Sequence, residues 1–277
     1  MNLTVVTAVR NALATNRREA LIRCIDSVAA LKTPHEHLIY DAASTDGTVE
    51  LLRELEARIS SLTVVSEPDT GIYNALNKGV RDAKGEWFYV LGCDDYVMMP
   101  RVMERILRDN QTTCDEIVTP EKTYDGIRKI TTDRIFRSTP YGHQGTIVRL
   151  SVIRHFGGFD ERYHICADYD LMLKMHEANC RIKYINECFA YYDGQGVSFQ
   201  EMGATFHEQA VISATHFHQT LERMLKIRAG SRPPMGVFLP YLFHKDRALR
   251  ENARIGFFRS LLWPMVLARR MVKTRNR

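Results

Sequence analysis

The chain has few cysteines, and none of the spacings that would give them a task. The six, at 24, 93, 114, 166, 180 and 188, form no CxxC pair and no regular framework, and the N-terminus MNLTVVTAVRN lacks a basic region followed by a long apolar stretch. This is the pattern of an unexported protein with reduced thiols. The HFH at 216–218 and the dispersed cysteines make no zinc pattern. No apolar run approaches the roughly 18–20 residues that span a bilayer. With 16 Gly and 9 Pro in 277 residues, collagen-like and low-complexity chains are excluded. The segment TVVTAVRNAL after the first strand has no glycine, and GxxxxGK[ST] and GxSxG are absent. Dinucleotide binding of the Rossmann type, P-loop hydrolysis and a hydrolase nucleophile elbow are therefore disfavoured.

What is present is an ordinary globular composition, 45% hydrophobic and 26% charged, long enough for one large α/β domain or a domain with an appendage. The net charge of +5 is unevenly spread. Residues 222–277 hold 14 Lys/Arg and 3 Asp/Glu, while residues 1–221 hold 24 and 30. The chain thus reads as a domain over 1–221 and a basic helical tail over 222–277, with Pro233-Pro234 as the best linker signal. Such a tail faces an anionic partner, membrane lipid or nucleic acid.

Along the first part, short β-branched or apolar runs (Leu3–Val9, Leu38–Tyr40, Leu62–Val65, Glu86–Leu91) alternate with helical spacing over Arg18–Leu31, residues 49–59 and Ile72–Ala83. This βαβαβαβ order predicts parallel strands with right-handed crossovers. The second part is less regular, with a strand at Gly145–Val148, a helix at Asp168–Ala178 and a strand at Ile182–Ile185. Ligands of open α/β sheets bind beyond the carboxyl ends of the strands. The polar residues at those ends are Thr7, Asp41, Glu67 with Asp69, and Asp94 with Asp95.

Adjacent carboxylates at a strand exit repel unless neutralised. Asp94-Asp95 thus suits a hard divalent ion such as Mg²⁺ or Mn²⁺, or else a solvated turn. Asp41, followed by small residues, is placed to accept an N–H from a base or to cap the next helix. Lys78 offers a charge to phosphate, and Gly79 inside a helix signals close packing or ligand approach. Asp168 and Asp170 start a helix, which fits capping and dipole compensation as well as a general base. His143-Gln144 precedes an apolar strand.

The ordered set TVVTAVRN, YDAASTDGT, SEPDTGIYNALNKG, AKGEWFYVLGCDD, then HQGTIVR, GGFDERY and ADYDLMLK closely resembles glycosyltransferase family 2 over about residues 1–200. It is most similar to the bacterial branch that builds exopolysaccharide, colanic-acid-like or O-antigen units. The resemblance implies a GT-A fold with a mostly parallel sheet, a nucleotide-diphospho-sugar donor, a divalent metal (Mg²⁺ or Mn²⁺) and inverting transfer of one sugar. By the same matching, Asp168 is the catalytic base. Thr7, Asp41, Asp69, Lys78 and Asp94 serve the donor nucleotide, and Asp95 holds the metal. His143, Gln144 and Asp170 are candidates for the acceptor or donor pocket. Ala42 and Gly92 replace acids common in the family, and the QxxRW of processive synthases is missing.

The resemblance further suggests a lipid-linked saccharide acceptor. The basic tail would then meet an anionic membrane rather than nucleic acid, in a cytoplasmic protein peripheral to the inner face of the membrane. Within the tail, residues 256–268 are apolar except for Arg259 and Ser260 and flanked by arginines. That suits interfacial insertion or packing on the domain. Two rivals remain: a sugar nucleotidyltransferase, whose Gly-rich GxGTR-like loop is absent, and a non-catalytic adaptor, which leaves the acidic strand exits unexplained.

Overall fold

Four buried strands with helical crossovers open the chain, as the hydrophobic pattern predicts: β1 (Leu3–Val9), α1 (Arg18–Ala29), β2 (His35–Asp41), α2 (Thr48–Glu56), β3 (Leu62–Ser66), α3 (Ile72–Asp82) and β4 (Trp87–Val90). The computed structural model describes residues 2–225 apart from 132–134, 136–138 and 195. Residues 226–277, with the Pro233-Pro234 linker and the 256–268 stretch, lie outside the described residues.

Strands β1, β2, β3 and β4 pair in parallel in the order β4-β1-β2-β3, with Val9 opposite Asp41 and Asp41 opposite Ser66. Their carboxyl ends therefore open on one edge. Both faces are covered, which is why Leu3, Val5, Val6, Ile39, Trp87 and Phe88 are all buried. Gly79 answers its own ambiguity: a Cβ there would stand 2.7 Å from Val6 Cγ1, so the glycine lets α3 press on β1.

The sheet is completed by β6 (Glu116–Val118), β9 (Thr146–Arg149) and β10 (Ile182–Tyr184), giving β10-β6-β9-β4-β1-β2-β3. Strand β9 runs antiparallel to both β4 and β6, the one reversal in the sheet. A second sheet of short strands, β5 (Tyr96–Val97), β7 (Glu121–Thr123), β8 (Gly126–Arg128) and β11 (Ala190–Tyr191), has the order β5-β11-β7-β8. Strands of two or three residues carry too little alternation to be read from sequence. The helix α4 (Pro100–Asp109) was also not anticipated, although Pro begins it and Met103, Ile106 and Leu107 are buried at helical spacing.

Four further helices follow β9: α5 (Leu150–His155), α6 (Ala167–Glu177), the single turn α7 (Val197–Gln200) and the long α8 (Met202–Leu225). The boundary read at 221/222 falls inside α8. Among the described residues no helix is long and apolar enough to cross a membrane.

Helix α8 is pinned to α6 by buried charge. The Glu208 carboxylate accepts the backbone N–H groups of His164, Ile165 and Cys166 at 2.8, 2.9 and 3.0 Å, just where α6 begins. His216 Nε2 meets Asp170 Oδ1 at 2.8 Å and its Nδ1 lies 3.2 Å from Glu177. Lys174 Nζ takes the other Asp170 oxygen at 2.7 Å. Asp170, expected in a substrate pocket, is thus a buried anchor between two helices, and its charge is spent there.

Burial alone would lower the His216 pKa, but its hydrogen bonds to the Asp170 and Glu177 carboxylates outweigh it and raise it to about 9. A folded pKa above the unfolded 6.5 stabilises fully below pH 6.5, and the contribution is lost as pH rises through about 9. We expect His216→Gln to lower the melting temperature by several degrees near pH 6, about 2–4 °C per kcal/mol for a domain this size. Thermal melts should show that gap closing by about pH 10. A gap that does not change with pH would mean that His216 acts by packing alone.

Candidate active site

The loops at the strand exits are laced together by short polar side chains. Asn11, two residues past the end of β1 and with φ 45°, donates its N–H to Ser44 Oγ at 2.7 Å and accepts the Thr45 N–H at 3.1 Å. Asp46 Oδ2 accepts the Ala14 N–H at 2.6 Å. Asp41, at the end of β2, is 1% exposed. Its carboxylate accepts the Ser44 N–H at 2.9 Å, the Ser44 hydroxyl, and the Ser66 hydroxyl at 2.7 Å. A carboxylate offers about four acceptor positions. Asp41 is therefore largely engaged in tying the β1, β2 and β3 exits together. Ser66 and Asn11, which complete this knot, stand at the ends of the SEPDTGIYNALNKG and TVVTAVRN motifs but were not named as site residues.

Thr7 requires a correction. Expected beside the nucleotide, it lies in the middle of β1, fully buried, with its hydroxyl 3.0 Å from His37 Nε2. The pleat turns it inward, away from the strand exit. Asp69 Oδ1 accepts the Gly71 N–H at 3.1 Å and so shapes the entry to α3. Lys78 bonds Glu67 at 2.8 Å and the Pro68 carbonyl at 3.0 Å, so its charge folds the β3 exit loop back onto α3. The two asparagines of this motif explain another: Asn77 donates to the Phe159 carbonyl and accepts the Phe159 N–H, and Asn74 and Asn77 both donate to Glu161. The GIYNALNKG and GGFDE segments are mutual hydrogen-bond partners.

Asp94 and Asp95 follow β4. Asp95 is 1% exposed, accepting the Asp193 N–H on Oδ1 and Gln144 Nε2 on Oδ2, each at 2.9 Å. Burial, then the Asp94 charge, push its carboxyl up to about 6. Gly92 lies beneath: a Cβ there would come within 2.5 Å of Asp95 Oδ2, which explains why this chain carries no acid at that position. Asp94 Oδ2 is buried without a hydrogen-bond donor, and Arg17 Nη2 stands 3.5 Å from it. The oxygen open to a further partner thus belongs to Asp94, rather than to Asp95 as expected.

Those two carboxylates suit a hard cation. A buried oxygen without a hydrogen-bond donor beside a carboxyl whose ionisation is suppressed marks negative charge that Arg17 offsets for one acid of the two. Among the described residues no cluster of three or more His, Cys, Asp or Glu converges. The protein therefore offers one or two carboxylate oxygens, as Mg²⁺ and Mn²⁺ sites completed by phosphate and water do.

His143 and Gln144 form a one-turn 3₁₀ helix, His143–Gly145, leading into β9. Gln144 reaches Asp95. His143 Nδ1 lies 3.3 Å from Asp168 Oδ2. Consecutive side chains thus grip two separate carboxylates. The turn is packed too closely for a side chain at either glycine: a Cβ on Gly142 would meet Glu121 Oε1 at 1.9 Å, and one on Gly145 the Thr119 carbonyl at 2.2 Å. Buried Glu121 accepts the Gly145 N–H at 3.2 Å, and Tyr89 OH donates to the Gln144 carbonyl at 2.8 Å. Neither Glu121 nor Tyr89 was visible as a site residue, because each lies inside a strand.

Asp168 sits in the first turn of α6, but Cys166 occupies the cap position and makes no side-chain cap. Asp168 Oδ1 accepts the Tyr169 N–H at 2.9 Å and lies 3.0 Å from Tyr73 OH, which also reaches the Ile165 carbonyl at 2.7 Å. Burial opposes its ionisation, yet His143, the Tyr169 N–H and Tyr73 together lower its pKa. For His143 burial is outweighed in the other direction, by the Asp168 hydrogen bond and the Asp168, Asp95 and Glu121 charges, and its pKa rises. The pair is an ionised carboxylate held by a histidine that favours its proton. Asp168 and His143 border a cleft of about 890 Å³ on one side. On the other lies a small apolar cavity of about 60 Å³.

Residues 4–166, more than half of the chain, match the family described as Glycosyl transferase family 2. A PGL/p-HBAD biosynthesis glycosyltransferase of Mycobacterium bovis (strain BCG / Pasteur 1173P2) is 22% identical over 190 residues, 65% of this chain and 74% of that protein. The S. aureus TarS fragment 1–349 in complex with UDP-GlcNAc shares the fold at a TM-score of 0.63 with 16% identity, over 94% of this chain and 91% of that one. The mannosyltransferase PcManGT from Pyrobaculum calidifontis, in complex with GDP-Man and Mn2+, does so at 0.57 with 17% identity, over 92% and 73%. The architecture is thus the GT-A fold that the motifs implied, and the chain belongs to glycosyl transferase family 2: it is a glycosyltransferase.

Proposed function

We propose that this protein moves one sugar, with inversion, from a nucleotide-diphospho-sugar to an acceptor hydroxyl. Asp168 is the general base, and the acceptor is a lipid-linked saccharide of bacterial surface-polysaccharide assembly at the cytoplasmic face of the membrane. The observation that carries the reading is the grip of His143 and Gln144 on Asp168 and Asp95. A single displacement needs charge compensation at the leaving diphosphate and a base for the incoming hydroxyl, held in fixed relation. One hydrogen-bonded turn supplies that relation.

On the donor side, Asp41 with Ser44 and Ser66 forms the floor for the base. Asp94 supplies the oxygen without a hydrogen-bond donor for a divalent ion, and Asp95 stands beside it. A divalent ion there, of the kind PcManGT holds with GDP-Man, would neutralise the departing diphosphate as a Lewis acid. Asp69 and Lys78 fix the loop between β3 and α3, keeping that wall of the cleft in position. On the acceptor side, Asp168 stays ionised because His143 and Tyr73 hold it. It accepts the hydroxyl proton late, as bonding to the sugar makes that proton acidic. His143 keeps the carboxylate aimed and balances its charge in the apolar surroundings.

Asp168→Asn should retain nucleotide-sugar binding, read by calorimetry, while transfer falls at least about 10²-fold. His143→Gln, which keeps a hydrogen-bond donor without the charge, should lose less and shift the acidic limb of the pH–rate profile upward, because Asp168 then protonates more readily. An unshifted limb would sever His143 from the base.

Asp94→Asn should weaken activation by Mn²⁺ or Mg²⁺ by about tenfold or more, the cost of a carboxylate ligand. Full wild-type transfer in EDTA would end the metal assignment. The tail from residue 222 carries a net +11, and each basic residue near an anionic surface adds up to about 1 kcal/mol. We expect the full chain, but not one ending at 225, to sediment with anionic liposomes at physiological salt; equal sedimentation of both would remove the anchor.

A further inference from the structure

The cleft that ends on Asp168 and His143 has walls of an unexpected kind. Tyr124 and Ile127 project from the hairpin of β7 and β8, and Phe199, Met202 and Phe206 from α7 and the first turns of α8; all five line the cleft. They are exposed by 84, 56, 61, 51 and 66% respectively. Nine large apolar side chains are exposed among the described residues, and more than half of them gather here. Single exposed apolar residues are ordinary, whereas a cluster that faces one cavity marks a binding surface.

The elements that carry these residues are separate in sequence, so no single amphipathic stripe accounts for them. The helix is already fixed on its other side through Glu208 and His216, leaving Phe206 free to face the cleft. A wholly polar saccharide would leave both walls wet. A folded protein seated across them would close the path to the base. An occupant that satisfies floor and walls together has a hydroxyl at one end and an apolar portion at the other.

We infer that this cleft seats the alkyl or aryl portion of an amphiphilic acceptor between the hairpin and α7–α8, with the acceptor's hydroxyl delivered to Asp168. This rests on the transferase reading above and adds to it the recognition element. The apolar portion is bound by the catalytic domain itself, next to the base, independently of the basic tail. Aromatic rings at Tyr124, Phe199 and Phe206 and a deformable thioether at Met202 suit a chain of variable shape.

The test uses the full chain with n-octyl and methyl β-D-glucopyranoside, below the micellar concentration, followed by saturation-transfer NMR. Octyl glucoside should bind at least about tenfold tighter than the methyl glucoside, the effect of burying about two methylenes. Tyr124→Ser and Phe206→Ser, at exposed positions on opposite walls, should each reduce that preference several-fold. Val211→Ser, an exposed apolar position that does not line the cleft, should leave it intact. Equal binding of the two glucosides overturns the inference. So does an unchanged preference in both wall variants, which would mean adsorption elsewhere. A dimer that the wall substitutions convert to monomer in sedimentation would assign the walls to a second copy instead, and also overturns it. Hydrolysis of nucleotide sugars by the same preparation separates the two readings. Its absence removes the transferase mechanism whatever the octyl result, while its presence with no octyl preference removes only this inference.

Discussion

Two adjacent side chains on one closely packed turn hold the two halves of the site together. His143 and Gln144 leave the backbone in different directions, one to Asp168 on α6 and one to Asp95 at the exit of β4. Their spacing is set by a single peptide unit. The turn packs too closely for a Cβ at Gly142 or Gly145, and the buried Glu121 beneath it accepts the Gly145 N–H. It can exist only because β9 reverses direction. Inserted antiparallel between β4 and β6, β9 begins at the edge where the parallel strands end. A parallel β9 would have brought the turn out on the opposite edge of the sheet.

The same geometry separates the chemistry of two carboxylates of similar intrinsic acidity. Asp95 is buried beside Asp94, with neutral donors only, and its carboxyl is pushed up to about 6. Asp168 is also shielded from water, but it faces a histidine that favours its proton, and it is pulled down. Environments that drive like groups apart are how one cleft assigns different tasks to them. Here the division has a plain cause. One acid has a like charge beside it, and the other has a histidine in hydrogen-bond contact.

How much of this could be read from the chain differs by element. The strands β1 to β4 and the helices α1 to α3 were legible because each is long enough for burial to impose a period, and the strand exits located Asp41, Asp94, Asp95 and the loop of Asp69. The motifs located Asp168 and His143-Gln144. Pattern alone does not give the direction in which a side chain points. Thr7 and Asp41 both belong to strands that enter the cleft edge, yet the pleat turns Thr7 into the core toward His37. Asp168 and Asp170 differ by two positions on one helix, about 200° apart around its axis. One faces the cleft and the other faces α8. The short strands β5, β7, β8 and β11 carry no period, so the small sheet that contributes Glu121 and the hairpin wall was invisible.

Helix α8 makes the acceptor side possible. The loop that leads into α6 needs acceptors for its N–H groups, and a neighbouring helix supplies one for His164, Ile165 and Cys166 through Glu208. The His216–Asp170–Lys174 cluster then fixes the relative position of the two helices. Since Asp168 sits in the first turn of α6, its aim toward the cleft depends on that docking as well as on His143. The anchoring places α8's opposite flank, with Met202 and Phe206, along the cleft wall. Burying a charged cluster is costly unless every member is paired, and its return here is positional. The same contacts that hold the base in register hold the apolar wall that faces it, so a shift of α8 would disturb the proton acceptor and the acceptor seat together.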